Sequence, residues 1–498
     1  MADHHRTNLL FLLATLALSV SAGLLLNPQP PFTKKDLLRA LEQRASAMDN
    51  APPLRIILGS NANLDVVVHD GASLIKSLVP SPLRIRDHAT ITSVDDLAEA
   101  FAFHLSTSSA GERFVASEDA WRNILAAVDD TSAKQTNLGG NAALMANALD
   151  QLSPQHKVTL AGPIGPEIQQ KLRPNIVQIA GQGSGELDPK HLIFEYKAGA
   201  QYAAHVAERA NRFIVSRDFA NSMLSAVDQL SVSARYYDLI VLAGVHMLDG
   251  MEPHVQDEQL TRVANVLEST DVKTHLELGS IGSQAFLQNL VSKVLPLVES
   301  IGLNEQELVS LCDALELRIQ DPTPIGAVDA IKRRVEALTT RVVKTDEERV
   351  RAAMKTSTPP VVLVQRAIEL IFAQSPKLER VHFHSFGYHV LALRNAALTK
   401  WGPNPEAALA KGSVAATERA CGDQKVASLH GKQLALNVQG FYRVDGHKRE
   451  FVEFDELRPT AAFEGAGGVR FHVAPVVACV EVKMTVGLGD FISASALG

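Results

Sequence analysis

Cysteine is scarce: only Cys312, Cys421 and Cys479 occur in 498 residues, so a fold stapled by several disulfides is excluded and at most one intramolecular bridge can form. None of their spacings is Cys-x-x-Cys, which removes a zinc ribbon and a thioredoxin-type centre. Basic residues are in deficit, 48 Lys plus Arg against 55 Asp plus Glu for a formal charge of -7. The chain therefore lacks the cationic excess that holds a polyanion by counterion release, and nucleic acid is not an expected partner. There is no internal repeat and no low-complexity tract. Gly-x-x-x-x-Gly-Lys-[Ser/Thr], His-Glu-x-x-His and Gly-x-Ser-x-Gly are all missing, which excludes a P-loop hydrolase and speaks against a zincin or an α/β-hydrolase.

What is present is an ordinary globular composition, 46% hydrophobic and 21% charged, in a chain long enough for about three domains. One segment departs from it. Leu9 to Leu26 is apolar apart from Thr15, Ser19 and Ser21, with Arg6 before it and Asn27-Pro28 and Pro30-Pro31 after it. Val20 and Ala22 stand where a signal peptidase expects small residues, so residues 1–22 read as a cleaved secretory signal, or alternatively as a membrane anchor. Residues 23–51 read as a linker. The expected location is then the secretory pathway, lumenal or secreted, with membrane attachment only if the segment is retained. In that oxidising setting Cys421 and Cys479 are the pair expected if any bridge forms, whereas Cys312, among Leu308, Val309 and Leu311, reads as a buried thiol.

From Leu54 onward short β-branched runs alternate with longer helical patterns. Strands are predicted at Leu54–Leu58, Val158–Ala161, Ile176–Ala180, Leu192–Tyr196, Leu239–Ala243, His275–Leu278 and Val381–His384. Several are continuous apolar runs, as strands covered on both faces of a parallel sheet must be. Helices are predicted at Ala142–Leu152, Gln256–Leu267, Gln284–Ser300 and Glu305–Leu317, which gives an α/β fold. Lys344–Lys355 reads as a solvated helix face and Thr460–Gly468 as a flexible loop. Gly181-Gln182-Gly183-Ser184-Gly185 imitates a dinucleotide turn, but Glu186 replaces the third glycine, so a loop is expected. His382 and His384 share a strand face without a third metal ligand nearby, and read as the polar end of a strand at a pocket.

The chemistry concentrates in Thr485-Val486-Gly487-Leu488-Gly489-Asp490-Phe491-Ile492-Ser493. Two glycines, an Asp and a helix-compatible run place free backbone N–H groups and a carboxylate side by side, as phosphoryl transfer to an alcohol requires. The plainer reading is a glycine turn in which Asp490 caps the next helix. Two other stretches keep it company. Gly59-Ser60-Asn61-Ala62-Asn63-Leu64-Asp65 follows a strand and directs Asp65 to the sheet's carboxyl edge. Asn137-Leu138-Gly139-Gly140-Asn141 opens a helix with room for a hydroxylated ligand.

In this order the three stretches resemble the ribokinase superfamily of sugar kinases. Asn211-Arg212-Phe213-Ile214, His275-Leu276-Glu277, Asn304-Glu305-Gln306-Glu307 and Val381-His382-Phe383-His384 narrow the resemblance to the ADP-dependent glucokinases, from about Leu54 to the end. The resemblance implies a ribokinase-like, mostly parallel sheet flanked by helices with a smaller α/β lid. The catalytic unit would be 52–498 with lid insertions roughly within 65–135 and 185–235. It implies transfer of the β-phosphoryl group of ADP to the 6-hydroxyl of glucose, with Mg²⁺, glucose and ADP as small-molecule partners and a monomeric enzyme. Asp490 would be the base, beside the Gly487 and Gly489 amides. Arg212, Asn211, His384, Val486 and Leu488 would face the nucleotide. Asp65, Asn61, Glu112, Gly139, Gly140, Asn141 and His191 would hold the sugar, and Glu277, Glu307 and Asp490 the metal. Val482 stands where the family has proline and Phe491 where it has a small residue; the ring is expected to narrow the anion site. The alternatives are a kinase of the superfamily using ATP or fructose 6-phosphate, or a catalytically silent binding protein.

Overall fold

Ile56–Leu58, Val158, Leu160 and Leu239–Ala243 are buried, and parallel pairing with covered faces is what such runs need. In the computed structural model they form the middle of a ten-stranded sheet. Its order is Ala461–Glu464, Val469–Pro475, Tyr388–Arg394, Arg380–His384, Ser300–Asn304, Lys273–Glu277, Leu239–Ala243, Arg55–Ser60, Lys157–Gly162 and Val177–Ala180. The strands from Arg380–His384 to Val177–Ala180 run parallel, and the first three in the order pair antiparallel. The structure describes residues 33–181, 188–319 and 346–497 apart from 233, 357, 396–399, 403, 423, 430, 431, 446, 447 and 481–486. The candidate leader, residues 1–22, the glycine-rich stretch from Gln182 to Glu186, Val482 and Val486 lie outside the described residues. Among those described, no helix is long and apolar enough to cross a membrane.

A second sheet of six strands runs Thr90–Ile91, Gly111–Val115, Asn211–Ser216, Lys190–Tyr196, Asn63–Val68 and Lys134–Gly139. Strand pleating sorts its side chains. Val66, Val68, Leu192, Phe194, Phe213 and Val215 go to one face, where they join a core with Phe101, Leu105 and Ile124. Asp65, His191, Glu112 and Arg212, at the alternate positions, are left to the other.

Four sequence expectations are corrected. The linker 23–51 contains the helix Lys34–Ala45, closed by a Thr33–Asp36 capping box, and Leu37, Leu38 and Leu41 are buried in the main core. The helix expected over Gln284–Ser300 ends at Lys293, because Pro296 cannot donate to the ladder, and Ser300–Asn304 becomes a strand. The helix expected to Leu317 ends at Ala314. Thr460–Gly468 contains an edge strand, Ala461–Glu464, held where Phe463 stacks on Phe471 with centroids 5.4 Å apart. The charge run does form a helix, Asp346–Met354, with Arg351 paired to Asp313 and Met354 buried.

Cys421 and Cys479 are joined, tying the end of the helix Pro405–Ala420 to the short strand Val477–Cys479 across 58 residues of chain. Cys312 is free and buried. Closing a loop of that size stabilises by about 4 kcal/mol in the chain-entropy picture. Cys421→Ser is therefore expected to lower the thermal unfolding midpoint, and reductant should lower that of the parent but leave the variant unmoved.

Candidate active site

Three neighbouring parallel strands place polar side chains in rows on one face of the large sheet. His275 lies beside Ser300 and Ser300 beside Arg380; one pleat further on, Glu277 lies beside Gly302 and Gly302 beside His382. A Cβ on Gly302 would overlap Glu277 Oε2, so the bare backbone is what lets the Glu277 carboxylate lie across the strand. Glu277 is 5% exposed. Burial opposes its charge, but His275 Nε2 at 3.1 Å and His384 Nε2 at 3.6 Å outweigh it and hold the carboxyl down at about 2, and the Ser493 hydroxyl donates to Oε1 at 3.0 Å. His384 is correspondingly raised, burial notwithstanding, by Glu277 and the nearby Glu307 and Glu305. His382 does not join it. That ring is fully buried, lies 3.3 Å from His389 and is driven well below the ordinary histidine range by burial and Arg380.

Ser493 belongs to the helix Leu488–Ser495, which packs over these rows. Its N-cap is Gly487, whose φ of 72° is the left-handed conformation glycine adopts freely. Among the described residues no side chain caps it, which leaves its first N–H groups free of a described side-chain partner and suited to an anion. Asp490 sits in that first turn, half-buried. No described residue donates a hydrogen bond to its carboxyl, which burial and the charge of Glu277 push up to about 7. A Cβ on Gly489 would come within 2.9 Å of His384 Cε1, so the turn carrying Asp490 is seated directly on that imidazole. Leu488 is 9% exposed and packs with Ala416, Val476 and Ile492 rather than facing the cleft. Phe491, expected to narrow the anion site, instead turns into the core with Leu144 and Ala148.

Glu307 is tied to its own helix. The helix Glu305–Ala314 opens with a capping box in which Asn304 Oδ1 accepts from the Glu307 N–H at 3.0 Å, while Glu307 accepts from Asn304 N at 2.9 Å and Asn304 Nδ2 at 2.8 Å. Burial pushes its carboxyl up to about 7, with help from Glu277 and Glu305. Among the described residues no group of three or more His, Cys, Asp or Glu is arranged to hold a metal directly.

Across the cleft, the polar face of the second sheet carries a charged cluster. His191 lies 3.0 Å from Asp218 and 3.6 Å from Glu112. Burial disfavours its charge, yet these carboxylates and Asp65 raise it to about 9. Asp65 is buried and raised by desolvation, eased by His191, by the Asn63 amide at 2.7 Å and by Arg212. Gly139 stands opposite Asn63, and a Cβ there would overlap Asp65 Oδ1. Gly140, with φ 85°, leads into the helix Asn141–Leu152, and a Cβ there would come within 2.9 Å of Ala62 Cα. Asn61, expected at the sugar, caps that helix instead: its amide oxygen accepts from Ala142 N at 2.9 Å. Asn211 is likewise bound to its own framework, donating to the Ser108 carbonyl at 3.0 Å and accepting from Arg212 N at 3.0 Å. Arg212 has no ion pair among the described residues.

Comparison with known proteins decides the family. The model of the ADP-specific phosphofructokinase/glucokinase conserved region matches residues 54–498. The chain belongs to this family. The ADP-dependent glucokinase of Bos taurus is 30% identical over 455 residues, 89% of this chain and 84% of that protein. The probable ADP-dependent glucokinase of Caenorhabditis elegans is 28% identical over 91% of this chain and 87% of its own. A solved ADP-dependent kinase complex with fructose-6-phosphate and ADPbetaS superposes with a TM-score of 0.62 at 17% identity, covering 93% of this chain and 96% of the other, a likeness of fold.

In this member of the ADP-specific phosphofructokinase/glucokinase family the expected residues form two groups facing one cleft. Asp490, Gly487, Gly489, His384, Glu277 and Glu307 gather at the large sheet, and Asp65, Glu112, His191 and Arg212 on the second. Ser300, Gly302, Arg380, Asp218 and Ser493 adjoin these groups and were not singled out by sequence reasoning. Arg380 carried a weak signal, a cation at the head of a short strand candidate; Asp218 carried none.

Proposed function

We propose that this chain is an ADP-dependent glucokinase, moving the β-phosphoryl group of ADP to the 6-hydroxyl of glucose to give glucose 6-phosphate and AMP. The observation that carries the reading is Asp490, a carboxyl raised to about 7 in the first turn of an uncapped helix. A base of that pKa is matched to neutral pH, and the neighbouring amides suit a migrating phosphoryl group. The names of the animal relatives support the donor and the sugar.

In this reading Asp490 takes the proton of the 6-hydroxyl as the oxygen attacks phosphorus, and the N–H groups following Gly487 hold the phosphoryl oxygens. Arg212 and His384 attract the nucleotide phosphates. Asp65, Glu112, His191 and the close backbone at Gly139–Asn141 orient the sugar hydroxyls. The residues fit a magnesium ion held through its waters. Asp490 and Glu307 each feel Glu277's charge, a crowding that a cation relieves, and Glu277 is kept ionised to receive it. Glu277, Glu307 and Asp490 would hold the ion, which when bound supplies positive charge to the phosphoryl oxygens. We also place the protein in an oxidising, secretory compartment, a reading supported by the Cys421–Cys479 bridge.

The test is a coupled assay of purified protein with Mg²⁺, using glucose or fructose 6-phosphate as acceptor and ADP or ATP as donor. Glucose 6-phosphate from ADP is expected. Product from ATP alone, or only from fructose 6-phosphate, would overturn the assignment, as would calorimetric binding of glucose and AMP without turnover.

A further inference from the structure

Arg380 is fully buried at the base of the large sheet, far along its strand from His384, and none of the roles above uses it. A buried guanidinium is costly to desolvate, and apolar residues of similar volume commonly serve a core as well. Here Arg380 Nε has no hydrogen-bond partner among the described residues, and the Trp401 ring, 5.5 Å from the guanidinium carbon, offsets only part of the cost. The other two nitrogens reach in different directions. Nη1 donates to the Ser300 hydroxyl at 2.8 Å, Ser300 lies 2.7 Å from His275 Nδ1, and His275 Nε2 lies 3.1 Å from Glu277. Nη2 donates at 2.9 Å to the carbonyl of Ala496, the C-cap of the helix that carries Asp490. A cation at that end also complements the helix dipole.

We propose that Arg380 is a positioning residue for phosphoryl transfer. Its rigid fork fixes the C-terminal end of the Asp490 helix against the Ser300–His275 relay that orients Glu277, and so sets the spacing of the two carboxylates across the reacting phosphoryl group. Ser493, bonded to Glu277 from the same helix, closes the frame on the cleft side. Lysine cannot replace such a fork, because its single nitrogen cannot serve both ends with the same geometry.

This inference rests on the kinase reading, and its test separates the two. Arg380→Met, Arg380→Lys and Ser300→Ala are made in the full chain and compared with the parent, using whichever donor supports parent turnover. Small misplacement of reacting groups has large kinetic effects, so kcat is expected to fall by about tenfold or more in both Arg380 variants and several-fold in Ser300→Ala, with the glucose KM nearly unchanged. ADP, titrated calorimetrically without Mg²⁺, should bind the variants as it binds the parent, while the tightening on adding Mg²⁺ shrinks. A merely structural role would lower the melting temperature and the folded fraction but not kcat per folded site or the Mg²⁺ response. Parent-like kcat and Mg²⁺ response in Ser300→Ala and in either folded Arg380 variant would overturn the proposal. A parent inactive with ADP would instead sink the donor assignment, leaving the calorimetric comparison to judge Arg380.

Discussion

Asp490→Asn is expected to lower kcat by about 10²–10⁴-fold, the range for loss of a general base, while glucose and nucleotide still bind. The substitution is nearly isosteric, and because nothing described donates to the Asp490 carboxyl, the amide breaks no hydrogen bond in the free protein. Only the proton acceptor is lost. The same residue, together with Glu307, also raised to about 7, shapes the pH profile. With the Asp490 carboxyl raised to about 7 by burial and by Glu277, the working carboxylate form predominates above that pH and is titrated away below it. The parent's rate should thus rise through neutrality and level off, and Mg²⁺ should move the rise to lower pH by offsetting the neighbouring negative charge. Stopped or continuous assays from pH 5.5 to about 9 check this. An asparagine variant that keeps the parent's rate would remove Asp490 from the chemistry.

The second large effect is on stability. His191→Asn withdraws a buried cation from among Asp218, Glu112 and Asp65 and leaves them facing one another, a change of the kind that costs about 3–5 kcal/mol at neutral pH. Its pH dependence has a definite sign. His191 is raised in the folded protein to about 9 from 6.5, so its contribution is complete below pH 6.5 and is lost as pH rises through 9. Asp65, itself raised, and His246, lowered by burial, face the same cluster and moderate the size of the effect, not its direction. The gap in unfolding midpoint between parent and variant should be widest in mild acid and narrow towards pH 9.5, with weakened glucose binding at neutral pH. A gap independent of pH would rule out the charge as its source.

Much of this was legible before any coordinates. Continuous apolar runs announced the parallel strands, and Gly-x-Gly-Asp announced Asp490, because a left-handed N-cap and an acidic first turn leave local traces in sequence. The second sheet was less visible. Asn63–Val68 and Asn211–Ser216 mix polar and apolar residues because one face packs on Phe101 and the other lines the cleft, and their meaning depends on partners far along the chain. The relay from Arg380 to Glu277 was invisible for the same reason: Ser300 and Gly302 are unremarked small residues until the register sets Ser300 between His275 and Arg380 and Gly302 between Glu277 and His382. Asn61 and Asn211 show the opposite case. Each lies in a motif that points to a ligand, yet the Asn61 amide oxygen and both polar atoms of the Asn211 side chain are engaged with the backbone.

The pairing of the central strand bears on how the molecule is made. Ile56 lies between Val158 on one side and Leu239 on the other, so Arg55–Ser60 must wait for both distant segments before it is covered. Closing such wide loops costs chain entropy before burial repays it, which slows folding. Until then Leu239–Ala243 offers an apolar, unpaired edge to other chains. Slower synthesis or added chaperone is therefore expected to raise the yield of folded protein, read as the soluble fraction on expression.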